Sequence, residues 1–168
     1  MVKEMADCKI VLSEKEVGNR SESNAMFIRH ALSKINYFYE KCGDLQSRVE
    51  KQHMRYNLFE CDDSFLDCGL HQWGVAQCKE ASKLIDSVEF SAVIVSPMHR
   101  TLSTCIEIFK NHPRKEKIDF YVHCDLAEML KKDSDVFDVE KFNATIQEAK
   151  EVGIVFDTKK YFHPNWQI

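Results

Sequence analysis

Ser91-Ala92-Val93-Ile94-Val95-Ser96-Pro97-Met98-His99-Arg100-Thr101 is the stretch that decides the fold. Ala92 to Val95 is apolar on both faces. That pattern belongs to a strand in the middle of a parallel sheet with helices over it. Ser96-Pro97 stops the strand. Beyond the stop, Leu102, Cys105, Ile106 and Phe109 recur at helical spacing. Before the strand, Val75, Cys78, Ser82 and Ile85 do the same. Further on, Ile118 to Val122 predicts another strand, and Val139, Phe142, Ile146 and Ala149 another helix. The tail, from Val152 to Ile168, holds a short strand candidate followed by aromatic, Pro-containing sequence.

Toward the N-terminus, Ala25-Met26-Phe27-Ile28 is a short apolar run that predicts a buried first strand. Residues 34–66 read as a long, partly helical excursion. Residues 1–24 are polar and charged and read as an extension outside the core, so the domain is expected over 25–168. Alternating strands and helices predict an α/β domain in three layers, with a mainly parallel sheet and helices on both faces. In that class ligands bind beyond the carboxyl ends of the strands.

Composition narrows the function classes. The 168 residues suit one domain. A net charge of -4 argues against a nucleic-acid partner, whose binding domain is usually basic. No apolar run approaches the roughly 18 residues of a membrane span, and the N-terminus lacks a secretory apolar core. The default expectation is a cytoplasmic protein with no membrane. The seven Cys are odd in number and scattered. They are expected to be reduced, mostly buried thiols. Cys61, Cys68, His71 and Cys78 cluster along the chain, but their gaps do not match paired zinc-ligand spacing.

The strand ends carry the chemistry. Arg29-His30 follows the first strand, His99-Arg100 the second, and Asp125-Leu126-Ala127-Glu128 the third. An arginine's planar fork matches phosphate oxygens. Phosphoryl transfer needs an in-line nucleophile, fixed positive charge and a proton donor for the leaving group. Taken singly, each of these residues is more often a strand stop or a solvated side chain. Their order after successive strands is what makes a set.

At these residues the chain resembles the histidine phosphatase superfamily, which is phosphoglycerate-mutase-like in fold. Arg29, His30, Ala31, Ser33 and Asn36 are similar to its Arg-His-Gly-x-Ser-x-x-Asn motif. Asp67, Leu70, Gly74 and Gln77 resemble its Asp-x-x-Leu-x-x-x-Gly-x-x-Gln segment. Ser96, Pro97, Arg100 and Thr104 resemble its Ser-Pro-x-x-Arg-x-x-x-Thr block, and Leu126 and Glu128 its Leu-x-Glu. The resemblance implies that His30 becomes phosphohistidine and that Glu128 donates the proton. It implies that Arg29 and Arg100, with Asn36 and Ser33, hold the phosphoryl group. It implies structural roles for Asp67, Gly74 and Gln77, and neither a metal nor a cofactor. The substrate would be a small phosphorylated molecule or a phosphoprotein. Leu32 stands where mutases often have Glu or Gln, which favours hydrolysis over mutase activity.

The family also has a second histidine in a Ser-His-Gly-like turn after a fourth strand. No such turn occurs in this sequence. His163 has Phe162 and Pro164 as neighbours, and His112 and His123 come earlier in the chain. The domain is therefore expected to be incomplete at its C-terminal end, with a protein partner covering the open sheet. A non-catalytic, phosphatase-like binding subunit is the alternative expectation.

Overall fold

The computed structural model describes residues 25–43, 65–127 and 136–161. The 1–24 extension, residues 44–64 of the excursion, Glu128 and His163 lie outside the described residues. The elements are α1 (Lys34–Gly43), α2 (Gln72–Ile85), β1 (Ala92–Val95), α3 (His99–Phe109), β2 (Asp119–His123), α4 (Val139–Glu151) and β3 (Phe156–Tyr161). Short 3-10 turns cover Lys115–Lys117 and Cys124–Leu126. None of the helices described is long and apolar enough to cross a membrane.

The fold is mixed α/β around a three-stranded parallel sheet of order β1-β2-β3. Val93 lies beside Phe120 and Val95 beside Val122, while Phe120 lies beside Phe156. Parallel neighbours need a crossover between them. Helix α3 supplies it from β1 to β2, and α4 supplies it from β2 to β3. Residues two apart on a strand share a face, so Val95, Phe120, Val122 and Phe156 point to one side. There they meet Cys78 and Ile85 of α2, Leu102, Cys105, Ile106 and Phe109 of α3, and Phe142 and Ala149 of α4. A run of edge-to-face rings crosses this core from Phe90 through Phe109 and Phe120 to Phe156, with centroids 5.3, 5.7 and 5.8 Å apart. That arrangement suits the ring quadrupoles.

The helix and strand periodicities from Val75 onward match the observed elements. Cys105 packs in the core as expected, and burial raises its thiol pKa strongly. Three expectations are corrected. Ala25–Ile28 forms no strand: Met26, Phe27 and Ile28 are 53%, 95% and 47% exposed, in irregular backbone. An apolar run becomes a strand only where a neighbour pairs its N–H and C=O groups, and no described strand lies beside it. Secondly, among the described residues β1 is an edge strand rather than a central one, and Ile94 is 53% exposed. Central position belongs to β2. Thirdly, the described helices that pack on the sheet cover one face only, giving two layers there instead of three.

The ends of the helices are fastened by side chains from elsewhere in the chain. The buried His112 donates from Nε2 to the carbonyls of Ile85 and Val88, each at 3.2 Å, and accepts at Nδ1 from the Arg114 amide. That ties the end of α2 to the end of α3. The Lys115 ammonium donates to the carbonyls of Lys110 and Val152 at 2.7 and 2.6 Å, at the C-terminal ends of α3 and α4. A cation is favourable at helix C-termini.

Asp138 caps α4. Its carboxylate accepts from the amides of Glu140 and Lys141, each at 3.0 Å. These bonds, with that to Lys141 foremost, hold its carboxyl below the usual carboxylate range. A depressed folded-state pKa means that the cap stabilises the fold above the unfolded value, about 3.9, and is lost as pH falls through the folded value. Asp138→Ala is therefore expected to lower stability by about 1 kcal/mol at pH 7. The deficit should shrink below about pH 4, and Asp138→Asn should keep most of the cap at both pH values. Urea unfolding of the three proteins at pH 7 and pH 3 checks this.

Candidate functional site

The His30 segment is held against the helices by its own backbone. The Ala31 amide donates to Thr104 Oγ1 at 3.0 Å, and that hydroxyl donates to the Arg100 carbonyl at 2.7 Å. The Leu32 amide donates to Gln77 Oε1 at 2.9 Å. The Leu32 carbonyl accepts from the His71 amide at 2.9 Å, and the Lys34 amide donates to the Gly69 carbonyl at 3.1 Å. A Cβ at Gly74 would overlap the Leu32 carbonyl oxygen, so only glycine lets the segment lie this close to α2. The segment beside His30 is thus bonded to α3 at Thr104, one helical turn from Arg100.

The imidazole has a defined orientation. His30 Nδ1 lies 2.8 Å from the Ala31 carbonyl oxygen, an acceptor only, so Nδ1 carries the proton. In the neutral ring Nε2 then bears the lone pair, which is the tautomer a nitrogen nucleophile needs.

Asp67 braces the start of α3. It is fully buried with φ 38, in the left-handed region where Asp is better tolerated than most residues. Its carboxylate accepts from the His99 amide at 2.8 Å and from the Asp138 amide at 3.2 Å. The residue preceding α3, Met98, makes no side-chain cap, so Asp67 serves from 32 residues away. Burial pushes its carboxyl above the usual range, opposed by those two amides and by the charges of His99 and Arg100. His99 Nδ1 lies 3.3 Å from the Asp67 carbonyl, and its ring packs so tightly on Gly69 that a Cβ there would come within 2.8 Å.

Arg100 lies on the first turn of α3 and is only 3% exposed, and His30 is half-buried. Arg29 is exposed in irregular backbone, so the two arginines do not share one environment. Ser33, expected among the phosphate contacts, is instead fully buried, and its hydroxyl accepts from the Asn36 amide at 3.3 Å as the cap of α1. Capping is the ordinary preference of Ser at a helix start. Asn36 is half-buried on the first turn of α1. His71 caps α2, with Nδ1 accepting from the Trp73 amide, and its ring stacks on Tyr37 at 3.9 Å. Burial, with the Lys34 charge second, holds its imidazole below the usual range.

No protein-family model matches the chain, and no curated protein matches it. The side chains that sequence reasoning gave no pocket role, Thr104 and Gln77, are the ones that fix the His30 segment. One signal was available: Thr104 stands four residues after Arg100, on the same helix face. Cys78 packs beneath them, its thiol pushed up to about 12 by burial and then by the Glu107 charge, which makes it a poor nucleophile at neutral pH.

Thr104→Val keeps the shape of the side chain but leaves the Ala31 amide without its acceptor. A buried donor stripped of its partner costs on the order of 1–3 kcal/mol. The expected outcome is a stability loss of that size in urea, with the largest amide chemical-shift changes at Ala31 and Leu32. A shift pattern confined to α3 would refute the proposed fastening.

Proposed function

We propose that this chain is a phosphomonoesterase of the histidine phosphatase type, with the phosphoglycerate-mutase-like ancestry that its motifs resemble. The observation that carries the reading is the His30 tautomer. Nδ1 is held by the Ala31 carbonyl, and the neighbouring amide is bonded to the helix that carries Arg100. In this reading Nε2 attacks phosphorus, the P–O bond to the leaving alcohol breaks, and phosphohistidine forms. Arg100, charged at every working pH, balances the equatorial oxygens. Glu128 protonates the leaving oxygen, and water then cleaves the phosphohistidine to return free imidazole and phosphate. The substrate is a small phosphorylated molecule or a phosphoprotein, and the chemistry calls for neither metal nor cofactor.

A second reading is a non-catalytic relative that binds phosphate or a protein partner. Two observations favour it: Arg29 is exposed, and Ser33 is committed to a helix cap.

Hydrolysis of an aryl phosphate at pH 5–7 should fall to background in His30→Ala. Sulfate or phosphate should still protect the fold thermally in the wild type, and less so in Arg100→Met. Equal rates in wild type and His30→Ala, with anion protection retained, would favour the binding reading. Equal rates without anion protection would exclude both.

A further inference from the structure

The end of the central strand carries a second group of donor atoms, which runs from the buried Cys124 to the exposed Asp125. Cys124 follows His123 at the end of β2, and Asp125 lies in the 3-10 turn that the chain makes there. His123 Nδ1, Cys124 Sγ and an Asp125 carboxylate oxygen all lie within 4.8 Å of one another. We propose that His123, Cys124 and Asp125 bind a divalent transition-metal ion of the zinc type, with the Tyr161 carbonyl or water completing the shell. The site is independent of the phosphatase reading and uses none of its residues.

Three features support the assignment. The first is donor chemistry: one imidazole, one thiol and one carboxylate suit zinc, which accepts N, S and O ligands. The second is spacing. In a tetrahedron with bonds of about 2.0–2.3 Å, ligand atoms stand roughly 3.3–3.5 Å apart. Cys124 Sγ is 3.7 Å from Asp125 Oδ1, and His123 Nδ1 is 4.0 Å from Asp125 Oδ2. The Tyr161 carbonyl oxygen lies 3.0 Å from Sγ. To bind an ion the donors would contract, by a few tenths of an ångström for these two pairs, which use different Asp125 oxygens, and from within 4.8 Å for His123 and Cys124. The third is orientation. The His123 ring stacks on Tyr161 at 4.7 Å with 13° between planes, which fixes its plane. Nδ1 accepts from the Asp125 amide at 3.3 Å, so it is unprotonated, and an ion bound there would replace this long hydrogen bond.

Cys124 is only 1% exposed, while the Asp125 side chain is 68% exposed. An ion therefore enters from the Asp125 side and meets the thiol last. The Cys124 S–H proton, now donated to the Tyr161 carbonyl, passes to water as the S–metal bond forms. Affinity should accordingly rise with pH.

Cobalt(II) reports such a site directly, because a thiolate ligand gives a near-ultraviolet charge-transfer band and a tetrahedral shell gives strong visible bands. Titration of the reduced, metal-free full chain should show one equivalent with both signals, and zinc should displace them. Cys124→Ser should lose the charge-transfer band. Asp125→Ala alters an exposed side chain and leaves the fold intact. It should weaken cobalt binding on the order of tenfold or more. The absence of a thiolate band in the wild type would overturn the proposal. So would a band that survives Cys124→Ser at unchanged affinity, since another cysteine would then be the ligand. If Cys124→Ser fails to fold, unchanged affinity in Asp125→Ala is sufficient to reject it.

Discussion

A helix leaves backbone N–H groups unpaired at its start and C=O groups unpaired at its end, and buried ends must find partners. In this protein the pair α3 and α4 is joined by one side chain at each end, with Asp138 adding its own cap to α4. Asp67 accepts from the amides at the start of α3 and just before α4. Lys115 donates to the carbonyls where the same two helices stop. The anion lies at the positive ends of the helix dipoles and the cation at the negative ends. Everything else is arranged around this braced pair: the sheet packs beneath it, α2 packs beside α3, and the His30 segment bonds to it through Thr104.

The regular part of the fold was legible because its signals are local. Three helical periodicities and three β-rich runs from Val75 to Tyr161 identify their own elements. What was not legible depends on neighbours. Ala25–Ile28 has the composition of a strand, yet composition cannot supply the adjacent backbone that makes one. Val93 and Ile94 look central because both faces are apolar, and only pairing tells an edge from a middle. The uncovered face that results carries Ile94, Tyr121, His123 and Tyr161, with the Lys160 ammonium 4.3 Å above the Tyr121 ring. Long amphipathic side chains there cover apolar surface while keeping their polar ends in water.

The candidate site was legible in the same uneven way. Arg100 was marked by its place after a strand and does stand on the first turn of α3 beyond β1, whereas the strand expected before His30 does not form. The resemblance implied a phosphate contact for Ser33, and the structure adds a role that the motif did not suggest: its hydroxyl caps the start of α1. The part played by Asp67 could not be seen from spacing at all, since its partners lie 32 and 71 residues away in the chain.

The way the His30 segment is attached has a bearing on motion. Few bonds hold residues 31–34, and the amides of Ala31 and Leu32 are bonded to side chains rather than to a continuous ladder. Detaching them leaves the sheet, α2, α3 and α4 untouched. The segment is thus a unit that can open well below the free energy of global unfolding. Ala31 and Leu32 are therefore expected to exchange their amides faster than Val122 in the central strand. His30 sits beside the detachable part of the molecule, and Arg100 on a helix of the durable part.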